Sequence, residues 1–201
     1  MSGDHGGGSV GAGHDGHPAA ARVRRFEEQV IAAGLTTDAE LDEILLTDWP
    51  GSPAAGAAIV ARAWSDPAYL ELLLADGSAA AEAAGFQAND DYRLKAVQNT
   101  AARHNMVVWT LCSCYPTRLL GPSPSWYKSF AYRSRAVREP RAVLAEFGVD
   151  LPEQTEILVW DSSAETRYLV VPVRPAASAG LSEPDLAALV TRNGLIGTAA
   201  L

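Results

Sequence analysis

Two cysteines separated by one serine are the residues of this chain whose types and spacing could do metal chemistry. Cys112, Ser113 and Cys114 follow an apolar run that predicts a strand, and functional sites often lie in loops at strand ends. Two thiolates and the backbone nitrogens of Ser113 and Cys114 could form a planar claw around an ion that accepts square or octahedral geometry. Zinc is a poor match, because it prefers four tetrahedral ligands and only His104 lies nearby. The alternative is a pair of small buried apolar side chains, which the spacing alone favours.

The composition excludes several classes of protein. The chain has 201 residues and only two cysteines, which excludes a disulfide scaffold. A bond between cysteines separated by one residue would be strained, so the sequence predicts no disulfide between them. The net charge of −8 argues against nucleic acid and anionic membranes as partners. No apolar run reaches the roughly 18 residues of a membrane span, and no apolar signal core is present near the N-terminus, so we expect a cytoplasmic protein.

Hydrophobic spacing and capping signals predict the elements that position the claw. Residues 1–18 are a Gly- and His-rich tail that we expect to be disordered, and residues 19–90 predict an Ala-rich helical arm. Residues 91–201 predict strands and helices together, so the fold class is α+β with an N-terminal helical arm. The predicted strands are 95–100, 105–111, 156–160 and 168–173, and the predicted helices are 20–33, 37–48, 53–64, 67–75, 79–84, 126–135, 139–147 and 182–192.

Several blocks of sequence, in order along the chain, carry a family resemblance. They are Thr110–Pro116, Ser125–Ser129, Tyr132–Arg135, Val137–Arg141, Trp160–Tyr168 and Leu195–Gly197. Together they resemble the alpha subunits of nitrile hydratases, and residues 110–116 resemble the metal-binding loop of those subunits. The resemblance implies a helical arm followed by a C-terminal α/β sandwich, with residues 91–201 as the metal-binding domain.

The resemblance also implies a cofactor, a partner and a reaction. Cys112 and Cys114 are implied as thiolate ligands, oxidised to sulfinic and sulfenic acid respectively, and Ser113 and Cys114 as backbone nitrogen ligands. At position 110 this chain has Thr where other family members have Ser. In this respect the loop resembles that of the family members that hold non-corrin Co³⁺ rather than iron. The metal acts as a Lewis acid in the hydration of a nitrile to its amide. The implied partner is a β subunit, whose arginines hydrogen-bond the oxidised sulfurs.

One position of the motif departs from the family pattern. The leading cysteine, which supplies the axial thiolate, is Trp109 here, and an indole has an N–H donor but no ligating lone pair. Trp109 is compatible with an introduced substitution, with a naturally inactive subunit, or with a water at the axial position. The intact remaining blocks favour the first explanation. We expect the chain as written to bind cobalt poorly and to be weakly active or inactive.

A second departure concerns the substrate pocket. The family commonly has Trp-Pro after residues 115–116, where this chain has Thr117 and Arg118. Since that Trp lines the pocket in the family, Thr117 would leave a larger and more polar space. The sequence therefore predicts a bulky, polar substrate such as a heteroaromatic nitrile, against the alternative of drift in a tolerant loop.

Two other functions stay open for the chain. The close alternative is the matching subunit of thiocyanate hydrolase, which uses a similar claw. The alternative from another class is a metal-poor, non-catalytic subunit that acts only in assembly.

Several charged residues that lie close together in the sequence are also candidates for structural or interface contacts. Four arginines crowd one segment of this acidic chain, and we expect them to pair with acids or to contact another subunit. Glu165 and Arg167 lie beside a predicted strand and are expected to form structural pairs and not to act in catalysis. The four arginines are Arg133, Arg135, Arg138 and Arg141.

Overall fold

The computed structural model describes residues 25–26, 29–37, 40, 51–86, 92–111 and 114–201. The chain divides into two compact units, Met1–Thr37 and Asp38–Leu201. In the first unit residues 25–26 and 29–32 are helical, in agreement with the predicted helix over 20–33. The predicted disordered tail over 1–18 and most of the predicted helix over 37–48 lie outside the described residues.

Three consecutive helices open the described part of the second unit. They are α1 (Pro53–Ser65), α2 (Pro67–Ala75) and α3 (Gly77–Ala83), which confirms the predicted helices in this region. Asp66 and Asp76 cap α2 and α3, because each carboxylate accepts hydrogen bonds from two backbone N–H groups of the first turn. Single aspartates therefore separate the helices and fix the turns between them.

The remaining elements are two pairs of strands, each pair followed by helices, and they confirm the predicted α+β class. Strands β1 and β4 pair in parallel, as do β2 and β3, so two-stranded sheets are formed from strands distant in sequence. No helix in the described part of the chain is long and apolar enough to cross a membrane. In chain order the elements are β1 (Arg93–Gln98), β2 (Arg103–Val108), α4 (Thr117–Leu120), a 3₁₀ turn (Ser125–Lys128), α5 (Phe130–Arg138), α6 (Pro140–Glu146), β3 (Glu156–Asp161), β4 (Thr166–Val171), a 3₁₀ turn (Ala176–Ser178), α7 (Glu183–Leu189) and α8 (Arg192–Ile196).

The Ala-rich helices pack into the same unit as the strands. Helix α1 contacts α7 and α8, and α2 and α3 contact β1. Close packing is possible because the contact positions are small: a Cβ at Gly77 would lie 2.6 Å from the carbonyl oxygen of Leu94. The observed boundary at residues 37–38 thus differs from the one predicted at residue 90, and a metal-binding domain over 91–201 stays a prediction.

A buried polar network links β1, β2 and β3. The Asn105 backbone N donates to Asn99 Oδ1 (2.7 Å), its side-chain amide donates to the Gln98 carbonyl (2.8 Å), and Trp160 Nε1 donates to Asn105 Oδ1 (2.8 Å). His104 lies beside this network, with Nε2 2.7 Å from the Gly197 carbonyl and Nδ1 3.3 Å from the Asn99 amide. The Gly197 carbonyl only accepts, so Nε2 carries a proton, and an Asn99 amide that donates to Nδ1 requires the neutral form of His104.

The environment of His104 makes stability depend on pH. Burial lowers the pKa of His104 below its usual 6.5, against the smaller raising effect of the hydrogen bond to Gly197. His104 therefore binds a proton more readily in the unfolded chain than in the folded chain. As a result, the free energy of unfolding falls as the pH drops below about 6.5. We expect thermal melts between about pH 7.5 and 5 to show this loss in the parent chain and a weaker one in His104→Gln. Equal pH profiles of the two proteins would contradict the assignment.

Candidate metal centre

The loop that carries the cysteines begins where two paired strands end. Val108 at the end of β2 pairs with Asp161 at the end of β3. The Asp161 carboxylate accepts a hydrogen bond from the Thr110 backbone N (2.8 Å) and a short one from the Thr110 hydroxyl. Ser162 N donates to the Val108 carbonyl (2.8 Å). Asp161 thus ends β2 and turns the chain into the loop, so the strand predicted over 105–111 stops three residues early.

Arg133 on α5 holds the same turn from the other side. Its Nε donates to the Trp109 carbonyl (3.2 Å) and its Nη2 to the Thr110 carbonyl (2.7 Å). The guanidinium carbon also lies 3.8 Å from the centre of the Trp109 ring, a cation–π contact. Arg133 and Asp161 together fix the backbone that enters the cysteine loop.

Trp109 is packed as a core residue. Its side chain is 3 % exposed, and its Nε1 has no hydrogen-bond partner among the residues that the structure describes. An unpaired buried N–H costs about 1–3 kcal/mol, so packing and the Arg133 contact hold the indole in place. Nothing in this arrangement gives Trp109 a lone pair for a metal ion.

The predicted site residues are only partly brought together. Cys114 is 4 % exposed and belongs to the same buried cluster as Trp109. Cys112 and Ser113 lie outside the described residues. Thr117 is half-buried at the start of α4 and Arg118 is exposed.

The state of the cysteine sulfur differs from the prediction. Cys114 is disulfide-bonded, and the sequence contains only one other cysteine. The prediction of no disulfide is therefore wrong: strain raises the energy of such a bond without forbidding it. Because thiolates are the metal ligands, a metal-bound form of this chain requires the bond to be reduced.

An aromatic cluster follows the loop, and Arg167 on β4 is half-buried with two buried nitrogen atoms. The rings of Tyr115 and Tyr127 are 5.3 Å apart, and burial raises the pKa of Tyr127 well above its usual value. Arg167 Nε and Nη1 are buried without a hydrogen-bond acceptor in the described part of the chain. The guanidinium lies over the Tyr92 ring (4.7 Å), and burial lowers its pKa. Glu165 forms no ion pair with Arg167 within the described residues and accepts a hydrogen bond from Ser163.

The other clustered arginines have structural roles. Arg135 pairs with Glu139 and Glu146, each at 2.6 Å, which agrees with the predicted pairing although the groups are partly exposed. These two carboxylates raise the pKa of Arg135. Arg141 instead binds backbone carbonyls, including that of Thr155 (2.7 Å), and Arg138 donates to the Ser134 carbonyl (3.1 Å).

The residues present fit a claw-held metal only in part. Two thiols and the two backbone amides of the Cys-Ser-Cys sequence match the four donors of a claw. The indole of Trp109 does not match an axial ligand. Within the described ranges no three His, Cys, Asp or Glu side chains gather into a cluster that could hold a metal ion.

Comparison with known proteins identifies the family. A family model described as nitrile hydratase, alpha chain, matches residues 17–199. This chain belongs to the nitrile hydratase alpha-chain family. The resemblance seen in the sequence is thereby confirmed over nearly the whole chain, including most of the predicted helical arm.

Three relatives show the range of this family. The chain is 47 % identical to the alpha subunit of a low-molecular-weight cobalt-containing nitrile hydratase of Rhodococcus rhodochrous, over 89 % of this chain and 86 % of the relative. It is 46 % identical to the gamma subunit of thiocyanate hydrolase of Thiobacillus thioparus, over 73 % of this chain and 65 % of the relative. A solved Fe-type nitrile hydratase variant of Comamonas testosteroni Ni1 superimposes with a TM-score of 0.74 at 40 % identity, covering 91 % of this chain and 90 % of that chain.

Proposed function

We propose that this chain is the alpha subunit of a cobalt nitrile hydratase that works with a β subunit and is impaired by Trp109. The observation that carries the proposal is that two side chains, Asp161 and Arg133, hold the entrance of the loop by hydrogen bonds. Asp161 and Arg133 fix the backbone of Thr110 immediately before the Cys-Ser-Cys sequence that matches the donors of a claw. The cobalt-containing relative at 47 % identity supports cobalt as the ion.

Different atoms of the loop would supply the ligands of such a metal centre. Cys112 and Cys114 would supply thiolates, and Ser113 and Cys114 backbone nitrogens. The bound ion would supply Lewis acidity to activate a nitrile or a water molecule.

Rigidity around the loop is the second contribution of the protein. Trp126 packs edge to face against Tyr127 and Tyr132, whose own rings are tilted against each other, and the ring centres are 4.9 to 6.1 Å apart. Tyr132 also donates from its hydroxyl to the Val107 carbonyl (2.6 Å). This packing holds the end of β2 in one position and keeps water away from the inner side of the loop.

Metal content tests the proposal directly. We expect the chain, co-expressed with its β subunit in cobalt medium and purified as the complex, to contain well under one cobalt per chain and to hydrate nitriles slowly. The reason is the missing thiolate at position 109. Near-stoichiometric cobalt with full nitrile turnover would contradict the impairment, and no hydration by a cobalt-loaded complex would contradict the activity.

The same preparation distinguishes the substrates. We propose that Thr117 and Arg118 line a pocket for a large heteroaromatic nitrile; Arg118 lines a cavity of about 490 Å³ that Phe86 and Leu119 also line. Turnover that favours small aliphatic nitriles would count against this pocket. Thiocyanate hydrolase activity is the second candidate because of the 46 % identical relative, and thiocyanate turnover above nitrile turnover would favour it.

A further inference from the structure

A cavity of about 490 Å³ lies between the start of α1 and helix α4, and we call it the Arg118 cavity. Its volume is in the range of pockets that hold small organic molecules, which is about 300–1,000 Å³. The residues that matter for its chemistry are Ser52, Ala54, Ala55, Phe86, Arg118 and Leu119.

Most of the described lining of this cavity is apolar. Leu119 is buried in the hydrophobic core, and Phe86 is partly buried against the same core. Ala54 and Ala55, from the first turn of α1, add small side chains. A flat aromatic ring can therefore lie in the cavity against Phe86 and Leu119 without leaving a polar group of the protein unpaired.

Arg118 is the one charged residue among the described lining residues. Its side chain forms no hydrogen bond or ion pair within the part of the chain that the structure describes. In contrast, Arg133, Arg135 and Arg141 are all held by contacts within the chain. A guanidinium presents its donors in a rigid fork that matches the two oxygens of a carboxylate. Arg118 is therefore available to bind an anionic ligand.

The backbone of α4 holds Arg118 in place beside the cavity. The Ser52 backbone N donates to the Leu119 carbonyl (3.1 Å), and a Cβ at Gly51 would lie 2.6 Å from the Thr117 carbonyl oxygen. The two segments are thus in close contact. The Ser52 hydroxyl makes no capping hydrogen bond to α1, so it offers the cavity a second donor.

We propose that the Arg118 cavity binds an aromatic carboxylate, with the ring against Phe86 and Leu119 and the carboxylate on Arg118. A carboxylate is favoured over a neutral polar group, because charge-assisted hydrogen bonds are roughly twice as strong as neutral ones. The proposal rests on the proposed function for the role of this cavity as a substrate pocket. It adds the substrate class, which is an aromatic nitrile that carries a carboxylate.

Ligand binding to the full-length chain tests this site, by isothermal titration calorimetry on metal-free protein in the presence of EDTA. The probes are 4-cyanobenzoate and its neutral methyl ester, which share the ring and the nitrile. At low salt the parent chain is expected to bind the carboxylate at least about tenfold more tightly than the ester. This preference is expected to shrink as salt is added, because Arg118 is exposed.

Arg118→Gln is expected to weaken binding of 4-cyanobenzoate at least about tenfold and to leave binding of the ester within about twofold. Arg118→Lys keeps the charge without the fork geometry, so it should keep part of the preference. Arg138→Gln is the matched control, since Arg138 is an exposed arginine of α5 that is not among the described lining residues. This control removes the same charge and is expected to bind both probes as the parent chain does.

Ala54→Leu tests the location of the site. Ala54 is exposed in the first turn of α1, and leucine is a good helix former. The larger side chain takes up space in the cavity, so both probes are expected to bind more weakly by similar factors. Circular dichroism of this variant and of the arginine variants is expected to match the parent chain.

Three results would overturn the carboxylate site. They are equal affinities of the parent chain for the two probes, no measurable binding of either probe, and equal losses of 4-cyanobenzoate affinity in Arg118→Gln and Arg138→Gln. The last result would show that net charge, and not this cavity, sets the preference.

The same measurements separate this inference from the proposed function, because binding is measured without metal and without turnover. A complex that hydrates nitriles although its alpha chain does not bind 4-cyanobenzoate would overturn the carboxylate site alone. Specific binding of 4-cyanobenzoate with no nitrile hydration by a cobalt-loaded complex would contradict the proposed function and leave a carboxylate site without a substrate role.

Discussion

Replacing Trp109 by cysteine is expected to raise the cobalt affinity of the complex at least about 100-fold and to bring nitrile turnover with it. Loss of residues that only support metal ligands costs 10- to 100-fold in affinity or activity, and a direct thiolate ligand is worth no less. Cobalt content, measured by mass spectrometry on the complex with the β subunit, should approach one ion per chain.

Trp109→Ser is the control for the loss of the indole. Serine has nearly the size of cysteine but offers no thiolate, so it separates ligation from the removal of a bulky side chain. Both variants should lose about 3 kcal/mol of stability or more, because a large aromatic side chain leaves the core and Arg133 loses its ring contact. Thermal melts of the metal-free forms of the two variants should therefore agree, whereas cobalt bound to the cysteine variant should raise its Tm.

The pair of variants also distinguishes the explanations for Trp109. Cobalt gained by the cysteine variant alone supports a substituted axial ligand. Equal gains with serine would show that the indole only blocks the site, and that water can serve as the axial ligand. No gain in either variant would contradict the prediction and favour a subunit that acts only in assembly.

Local signals were sufficient for the helices but not for the end of β2. Pro53 and Pro67 marked helix starts correctly, because proline suits the first turn whatever lies around it. The apolar pattern predicted that the second strand continues to residue 111, whereas β2 ends at Val108. The cause is Asp161, which takes the Thr110 backbone N–H from 51 residues away, and no local pattern contains that contact.

The candidate site was predictable to a similar degree. The family resemblance, and not the Cys-x-Cys spacing alone, pointed to the loop. The contacts that Arg133 and Asp161 make with the loop entrance could not be predicted, because both side chains reach backbone atoms distant in sequence. Arg167 was expected to form a structural pair. Its burial depends on the packing of Tyr92 and Tyr127 around it, which only the folded chain shows.

Gly197 is the position where a single added methyl group is expected to have the largest effect on stability. Its φ of +87° lies in the left-handed region, and a Cβ there would overlap the Asn105 carbonyl oxygen and lie 2.9 Å from Met106 Cα. Both neighbours are backbone of β2, so neither can move aside without shifting the strand that leads to Trp109. The Gly197 carbonyl also accepts the hydrogen bond from His104.

Gly197→Ala is therefore expected to lower the free energy of unfolding by about 3 kcal/mol or more, or roughly 6–12 °C in Tm. Gly180→Ala isolates the backbone part of this effect, because Gly180 has a similar φ of +81° and a Cβ there would meet no atom within 4 Å. That control should lose only about 1–2 kcal/mol. Equal losses in the two variants would mean that the close approach of Gly197 to β2 contributes nothing. A larger loss at Gly197, with weaker pH dependence of the melt, would show that this contact holds both His104 and the strand in place.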